Sequence, residues 1–325
     1  MKSLQRMTAL ALGLFALGAQ AGFTPGPLVD STWLAANKDK VTILALRADL
    51  KSFTSKPLFT KDRKTGKQKL ARVGGHIPGA LLVNYKKVRG ARTIAGKTVK
   101  KMLPAKADFE AIMQKVGLNK DRPVVITTKG LSSANMTMAT RLYWQLKYYG
   151  VDDMAILDGG LAGWILDGHE VSSTPARAPK GNWVASAERR EILATSEDVD
   201  QARRTGSAQL VDNRTLDQYL GVWRKSYVYA AGHIPGARIF SNTLMTLPRA
   251  PATFLPVDKL TRLAKGLGLD PAKPTITYCN SGHLASGGWF ILHELMGNKQ
   301  TKLYDGSMHE WTLEKRPVTA LVLEK

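Results

Sequence analysis

One cysteine stands in 325 residues, so no disulfide can close within the chain, and whatever Cys279 does it does as a single thiol. Acids are missing from a whole stretch: between Arg63 and Lys106 there are 13 Lys or Arg residues and no Asp or Glu. That stretch lacks the aromatic interleaving of a single-strand nucleic-acid binder, so nucleic acid is not expected as a partner. It reads instead as a solvated face or as a field that concentrates small anions. The six histidines, at 76, 169, 233, 283, 293 and 309, include no pair at zinc-ligand spacing, and no metal is expected. No glycine-rich phosphate loop follows a strand, so neither a nucleotide nor any other cofactor is expected. Long apolar runs are absent too: the longest, Ala9 to Gly18, is shorter than the roughly 20 residues a membrane helix needs.

That short run follows Lys2 and Arg6 and precedes Ala19-Gln20-Ala21, the pattern of a cleavable secretory signal. Residues 1–21 are expected to be removed, leaving a soluble periplasmic or secreted protein with no membrane association. Without Lys2 and Arg6 the formal charge falls from +21 to +19. About 300 residues then remain, room for two domains that each bury a core.

The chain repeats itself. Gly75-His76-Ile77-Pro78-Gly79-Ala80 returns as Gly232-His233-Ile234-Pro235-Gly236-Ala237, an offset of 157. Leu157-Asp158-Gly159-Gly160 with Trp164 is echoed by Tyr304-Asp305-Gly306-Ser307 with Trp311, an offset of 147. Ile43 to Arg47 answers Leu210 to Arg214 at an offset of 167. The falling offsets place about ten extra first-half residues in each of two intervals. Asp158 and Asp305 read as turn formers, and Trp164 and Trp311 as packing residues. Each half alternates short apolar runs with helical patterns, predicting an α/β fold of two tandem domains, each a mainly parallel sheet flanked by helices. Strands are predicted around Leu210-Val211, Thr275–Tyr278 and Thr301–Tyr304, and helices over Ser286–Met296 and Met138–Tyr149, closed by Gly297 and Gly150. The expected boundaries are 22–172 for the first domain, 173–190 for a linker rich in Pro, Ala, Ser and basic residues, and 191–325 for the second domain.

The chemistry gathers where Thr275-Ile276-Thr277-Tyr278 runs into Cys279-Asn280-Ser281-Gly282-His283-Leu284 and then a helix. A strand delivers the cysteine, and the loop N–H groups and helix N-terminus are expected to converge on sulfur and stabilise negative charge there. The repeat order, the His-Ile-Pro-Gly-Ala segments, the Asp-Gly segments with their tryptophans and a cysteine in the second half alone resemble the tandem-domain rhodaneses and mercaptopyruvate sulfurtransferases. The first half, where Val124 to Thr127 runs into Thr128-Lys129-Gly130-Leu131, resembles the domain that has lost its thiol.

The resemblance implies sulfur transfer from thiosulfate to a thiophilic acceptor such as cyanide, a small thiol or a partner protein, through a persulfide on Cys279. It makes Cys279 catalytic and the loop residues Asn280, Ser281, Gly282, His283 and Leu284 substrate-binding. The six-residue loop lacks the arginine of the related phosphatases, which disfavours phosphatase chemistry. Ser281 and Gly282 match mercaptopyruvate enzymes, making mercaptopyruvate an alternative donor. Asn280 and Gln218 stand where the family places basic residues, which keeps a non-catalytic anion- or partner-binding module as a second alternative. Arg224 is a candidate replacement cation, with Lys225 beside it. His76 is a candidate cleft residue, because mercaptopyruvate enzymes recruit the first-domain histidine.

Overall fold

The computed structural model describes residues 22–94, 96–174 and 177–321; the expected signal segment, 1–21, lies outside them. Two five-stranded parallel sheets carry the fold. In the first, the spatial order is Leu28–Val29, Met154–Leu157, Val124–Thr127, Thr42–Arg47, Leu81–Asn84. In the second it is Leu193–Ala194, Thr301–Tyr304, Thr275–Tyr278, Gln209–Asp212, Arg238–Ile239. Numbered within each domain, both orders are 1-5-4-2-3, so the sequence repeat is also a repeat of topology. The central strands Val124–Thr127 and Thr275–Tyr278 are buried along their whole length, as a parallel sheet covered by helices on both faces requires.

The two intervals of extra first-half residues each contain an antiparallel hairpin. Leu58–Lys61 pairs with Gln68–Arg72, and Gly90–Ile94 pairs with Lys97–Met102. Among the described residues the second domain has no strand pair at the matching places, only an isolated bridge from Thr246 to Phe254.

The domains meet through their helices. Ser133–Tyr148 starts five residues before the sequence reading placed it, because Ser132 caps it by accepting from the Asn135 N–H. It is buried almost all round, since it lies between its own sheet and the second domain. Opposite it, Ala285–Trp289 continues as a wider π-helical stretch over Phe290–Leu295. Thr140 and Ser286 share a hydroxyl hydrogen bond of 2.9 Å, and Tyr143 packs edge-on against Phe290 and donates to Glu294. One apolar cluster runs unbroken from Leu44, Leu142 and Trp144 to Val211, Trp289 and Phe290.

The segment between the domains is strapped to the first. Gly181 N–H donates to Gln114, the buried Trp183 donates to Leu118, and Arg189 donates to Tyr148, all to carbonyl oxygens. The duplicated aspartates cross the interface in mirrored fashion. Asp158 accepts from Phe254 N–H of the second domain at 2.9 Å, and Asp305 accepts from Leu103 N–H of the first at 2.6 Å.

Candidate active site

Strand Thr275–Tyr278 ends at Cys279, which is 1% exposed. The loop that follows is held by the start of the helix Ser307–Leu313. Cys279 N–H and Gly282 N–H both donate to Ser307 Oγ, at 3.0 and 3.1 Å, and that hydroxyl donates to Tyr304 O. Convergence of the loop amides on sulfur therefore needs correction: Ser281 N–H donates to Sγ at 3.4 Å, while these two N–H groups fix the loop on Ser307. Ser307 adopts φ +52, as Gly160 adopts φ +56 at the matching place in the first domain. A serine tolerates this left-handed conformation poorly, and the two hydrogen bonds its hydroxyl accepts offset the strain.

Gly282 has a double reason to be glycine. Its φ is +70, and a Cβ would lie 2.4 Å from both Arg141 Nη1 and Asp305 Oδ1. Those two groups form an ion pair of 2.5 Å, with side chains 0% and 2% exposed, and Arg141 also donates to Gly282 O. The pair joins helix Ser133–Tyr148 to the turn after Thr301–Tyr304, so the first domain grips the loop from below.

The two departures from basic residues are coupled. Asn280 Nδ2 donates to Gln218 Oε1 at 2.7 Å, and both side chains are buried. An arginine at either place would leave the other amide without this partner, which accounts for their joint substitution.

Cations reach the site from the first domain instead. Arg89 Nη2 donates to both Ser281 O and Ser281 Oγ at 3.1 Å. Its guanidinium lies over the Tyr85 ring and donates to the Tyr85 hydroxyl and to Lys101 O. Lys101, at φ +73, sets its ammonium 4.1 Å from the centre of the Tyr227 ring. Burial lowers the Lys101 ammonium pKa, and the neighbouring Arg89 and Lys225 charges push it the same way, whereas the Cys279 charge raises it. Burial raises the Tyr227 phenol pKa, against a lowering from the neighbouring Ser281 side chain. Arg214 also lies within electrostatic reach of Cys279, but Asp212 claims it with two paired contacts.

His283 turns away from the sulfur. Its Nε2 lies 3.1 Å from Thr137 Oγ1 and 3.2 Å from Ala134 O, on the first-domain helix. Burial, then the charges of Arg89, Arg141 and Lys101, push its pKa down to about 3, against a weaker rise from its bond to Ala134. It is a neutral interface residue, not an acid or base at the thiol. Leu284 packs against the shared apolar cluster, where it offers a substrate no polar group.

Arg224 needs correction as the replacement cation: its Nη1 donates to Val228 O at 2.7 Å, bracing its own loop. His76 needs correction as a cleft residue. It stacks on Phe53 at 3.8 Å, its Nδ1 bonds Phe53 O, and its backbone bridges to Ser172. His233 does the same with Tyr219 and Thr319. Both histidines anchor a turn to the sheet.

The sequence reading missed Arg89, Lys101, Tyr227, Arg141 and Ser307. Arg89 and Lys101 lay unresolved within the acid-free run, and the mismatch of Ser307 with Gly160 was the one local signal pointing at the loop's support.

A thiol delivered by a strand and set beneath cations from a second domain is an arrangement suited to nucleophilic group transfer. Residues 32–167 and 195–314 each match the rhodanese-like domain, and the chain belongs to the rhodanese-like sulfurtransferases. It is 30% identical over 243 residues to a protein of Mycolicibacterium smegmatis named "Putative thiosulfate sulfurtransferase", covering 73% of this chain and 83% of that one. It is 28% identical over 246 residues to the "Sulfur carrier protein TtuD" of Thermus thermophilus, covering 73% and 82%. The crystal structure of SseA from Escherichia coli, described among 3-mercaptopyruvate sulfotransferases, superposes with a TM-score of 0.67 at 26% identity, covering 87% and 98%.

Proposed function

We propose that this sulfurtransferase takes sulfane sulfur from thiosulfate and passes it through a persulfide on Cys279 to a thiophilic acceptor. The observation that carries the proposal is the convergence of Arg89 and Lys101 on the Cys279 loop. Paired cations beside a nucleophilic sulfur suit a dianion whose reacting atom is itself sulfur. The Cys279 thiolate attacks the outer sulfur, the S–S bond of thiosulfate breaks, and sulfite leaves with the bonding pair. The persulfide keeps the single negative charge that the thiolate brought. An acceptor such as cyanide then attacks the terminal sulfur, forming thiocyanate and returning the thiolate. The Ser281 N–H and the nearby cations stabilise the anionic sulfur in both states.

Mercaptopyruvate is the second reading of the donor, favoured by Ser281 and Gly282 and by the likeness to SseA. The likeness to a protein named as a sulfur carrier favours a protein as acceptor. The signal pattern of residues 1–21 favours a reaction outside the cytoplasm.

Intact-mass measurement after incubation with thiosulfate tests the donor. The expected result is a gain of about 32 Da, one sulfur atom, removed by cyanide and absent from Cys279→Ser. A mass unchanged by thiosulfate but raised by mercaptopyruvate would replace the donor. A mass unchanged by both would leave the module that binds without turnover.

A further inference from the structure

The rim around the Cys279 loop is built from one segment of each domain. The first domain contributes the hairpin of Gly90–Ile94 with Lys97–Met102, and residues 90–102 contain no acid. Its pairing runs from Gly90 with Met102 directly to Ala91 with Lys100, so Lys101 is the extra residue of a β-bulge. Lys101 pays for that place with a left-handed φ of +73, and a bulge re-aims the side chain it carries. The second domain contributes residues 221–229, the loop after the helix Leu216–Leu220 that holds Gln218. Three ammonium groups lie over three aromatic rings along this seam. Lys101 Nζ is 4.1 Å from the centre of the Tyr227 ring, Lys225 Nζ 4.9 Å from that of Trp223, and Lys97 Nζ 5.0 Å from that of Tyr229. The first and the last of these contacts join the domains.

A ring face attracts an ammonium group without neutralising it, and among the described residues no carboxylate pairs with any of the three lysines. Lys225 and Arg89 stand close enough to Lys101 to disfavour its charge, so like charges are gathered at the mouth. Such a field draws in anionic groups. Asp217 is the one acid between residues 216 and 229, and it accepts from the Trp223 indole N–H. The same loop leaves large apolar groups in water: Val222 is 59% exposed, Tyr229 49% and Trp223 40%. One exposed apolar side chain needs no explanation, but three within eight residues beside a thiol mark a surface that a partner covers. Cyanide and other small acceptors have no use for them. Aromatic anchors set among charged groups are instead the make-up of a protein interface. An anionic bilayer also takes tryptophan, tyrosine and lysine, but lying on this face it would close the mouth to an anionic donor.

We infer that this rim is a docking surface for an acidic acceptor protein, which presents its receiving thiol beside an apolar side chain and among carboxylates. The inference rests on the persulfide proposed for Cys279 and names what relieves it of sulfur. Val222, Trp223 and Tyr229 take the apolar contact, and Lys97 and Lys225 meet the carboxylates. The docked thiolate attacks the terminal sulfur of the Cys279 persulfide and the S–S bond breaks. The acceptor keeps that sulfur as its own persulfide, and Cys279 takes back the bonding pair as a thiolate.

The test separates docking from transfer. Docking is read by fluorescence polarisation of labelled peptides with the full chain, under reductant and without a sulfur donor. The probes are Glu-Glu-Leu-Cys-Leu-Glu-Glu, the same peptide with Lys for every Glu, and the same peptide with Ser for both Leu. The acidic apolar probe is expected to bind more tightly than either of the others, and to weaken as salt rises. Trp223→Ser should weaken it about tenfold, as loss of an interface anchor does, and Lys97→Glu several-fold. Loading of Cys279 at saturating thiosulfate and its discharge by cyanide, both read by intact mass, should match wild type in the two variants. Equal binding of the acidic and basic probes would overturn the docking surface, as would acidic-probe binding that neither substitution moves. Should Trp223→Ser not fold, Lys97→Glu decides alone. Preference of wild type for phosphatidylserine vesicles over the acidic probe, lost in the same variants, would overturn it in favour of a membrane face. A Cys279 that never loads would sink the proposed reaction, while the binding comparison would still decide the surface.

Discussion

At the end of the central strand the two halves of the chain diverge. The second domain turns through Cys279 and a loop that Ser307 and Arg141 hold in shape. The first turns through Thr128, and Gly160 stands where Ser307 would support it. Beside its thiol the second domain has neutral amides, Asn280 and Gln218, and the first domain extends to that loop a hairpin bearing Lys101, with Arg89 just before it. Duplication has divided the parts: one half holds the thiol, the other brings Arg89 and Lys101 to its loop. A single domain of either kind would lack part of the site.

The sharpest way to break that division is to move the thiol. Cys279→Ser should lose transfer by a factor of about 1000 or more, because no other thiol exists to replace it. Adding Thr128→Cys to that variant should restore nothing measurable, since Arg89 and Lys101 face the other loop. Thiocyanate formation from thiosulfate and cyanide measures both, and turnover in the double variant would mean that the halves are interchangeable.

Next in size is the contribution of the cations. Arg89→Ala and Lys101→Ala should each raise KM for thiosulfate about 10- to 100-fold, the range for lost hydrogen bonds to charged groups. Replacing Lys64, Lys67 and Lys69, in the other hairpin region, should act only through long-range attraction and lose its effect above about 0.1 M salt. Arg224→Ala should leave KM nearly unchanged, because that side chain braces Val228. Equal effects from both hairpins would reduce the acid-free run to a diffuse field.

The interface pair comes third. Asp305→Asn should destabilise the chain by about 3–5 kcal/mol in urea unfolding, since it leaves Arg141 charged and buried without its acid. Replacing both partners, Arg141→Met with Asp305→Leu, should cost less than that single change if desolvation dominates. Additive losses in the double variant would show that the two groups act apart.

The repeat was legible because identical turn chemistry, Gly-His-Ile-Pro-Gly-Ala, leaves identical letters, and the falling offsets placed extra residues in the two intervals that contain the hairpins. The cysteine loop was legible for the same local reason. Arg89 and Lys101 were not, because 192 residues separate Arg89 from Ser281, and no local pattern encodes a contact made across a domain interface. His76 misled in the opposite direction. Its resemblance to a cleft histidine outweighed the fact that the second half repeats it, whereas the paired stacks on Phe53 and Tyr219 reveal one structural device used twice.

The smallest expected effect concerns His283, which the loop contributes to the interface rather than to the thiol. Its folded pKa of about 3 lies below the ordinary value of 6.5, mainly through burial and then through Arg89, Arg141 and Lys101. A base depressed by folding stabilises the native state fully above its unfolded pKa, and that contribution is lost as pH falls from about 6.5 toward 3. At pH 5 the unfolded chain holds about one more proton at this residue than the folded chain does. Urea midpoints for wild type should therefore fall between pH 7 and pH 5, and His283→Gln should fall less over the same interval. Arg89→Ala should raise the His283 pKa as followed by NMR titration, because it removes the larger of the charge effects while leaving the contacts to Thr137 and Ala134 in place. Identical pH slopes for wild type and His283→Gln would mean that the imidazole is not held neutral by the cations the first domain brings.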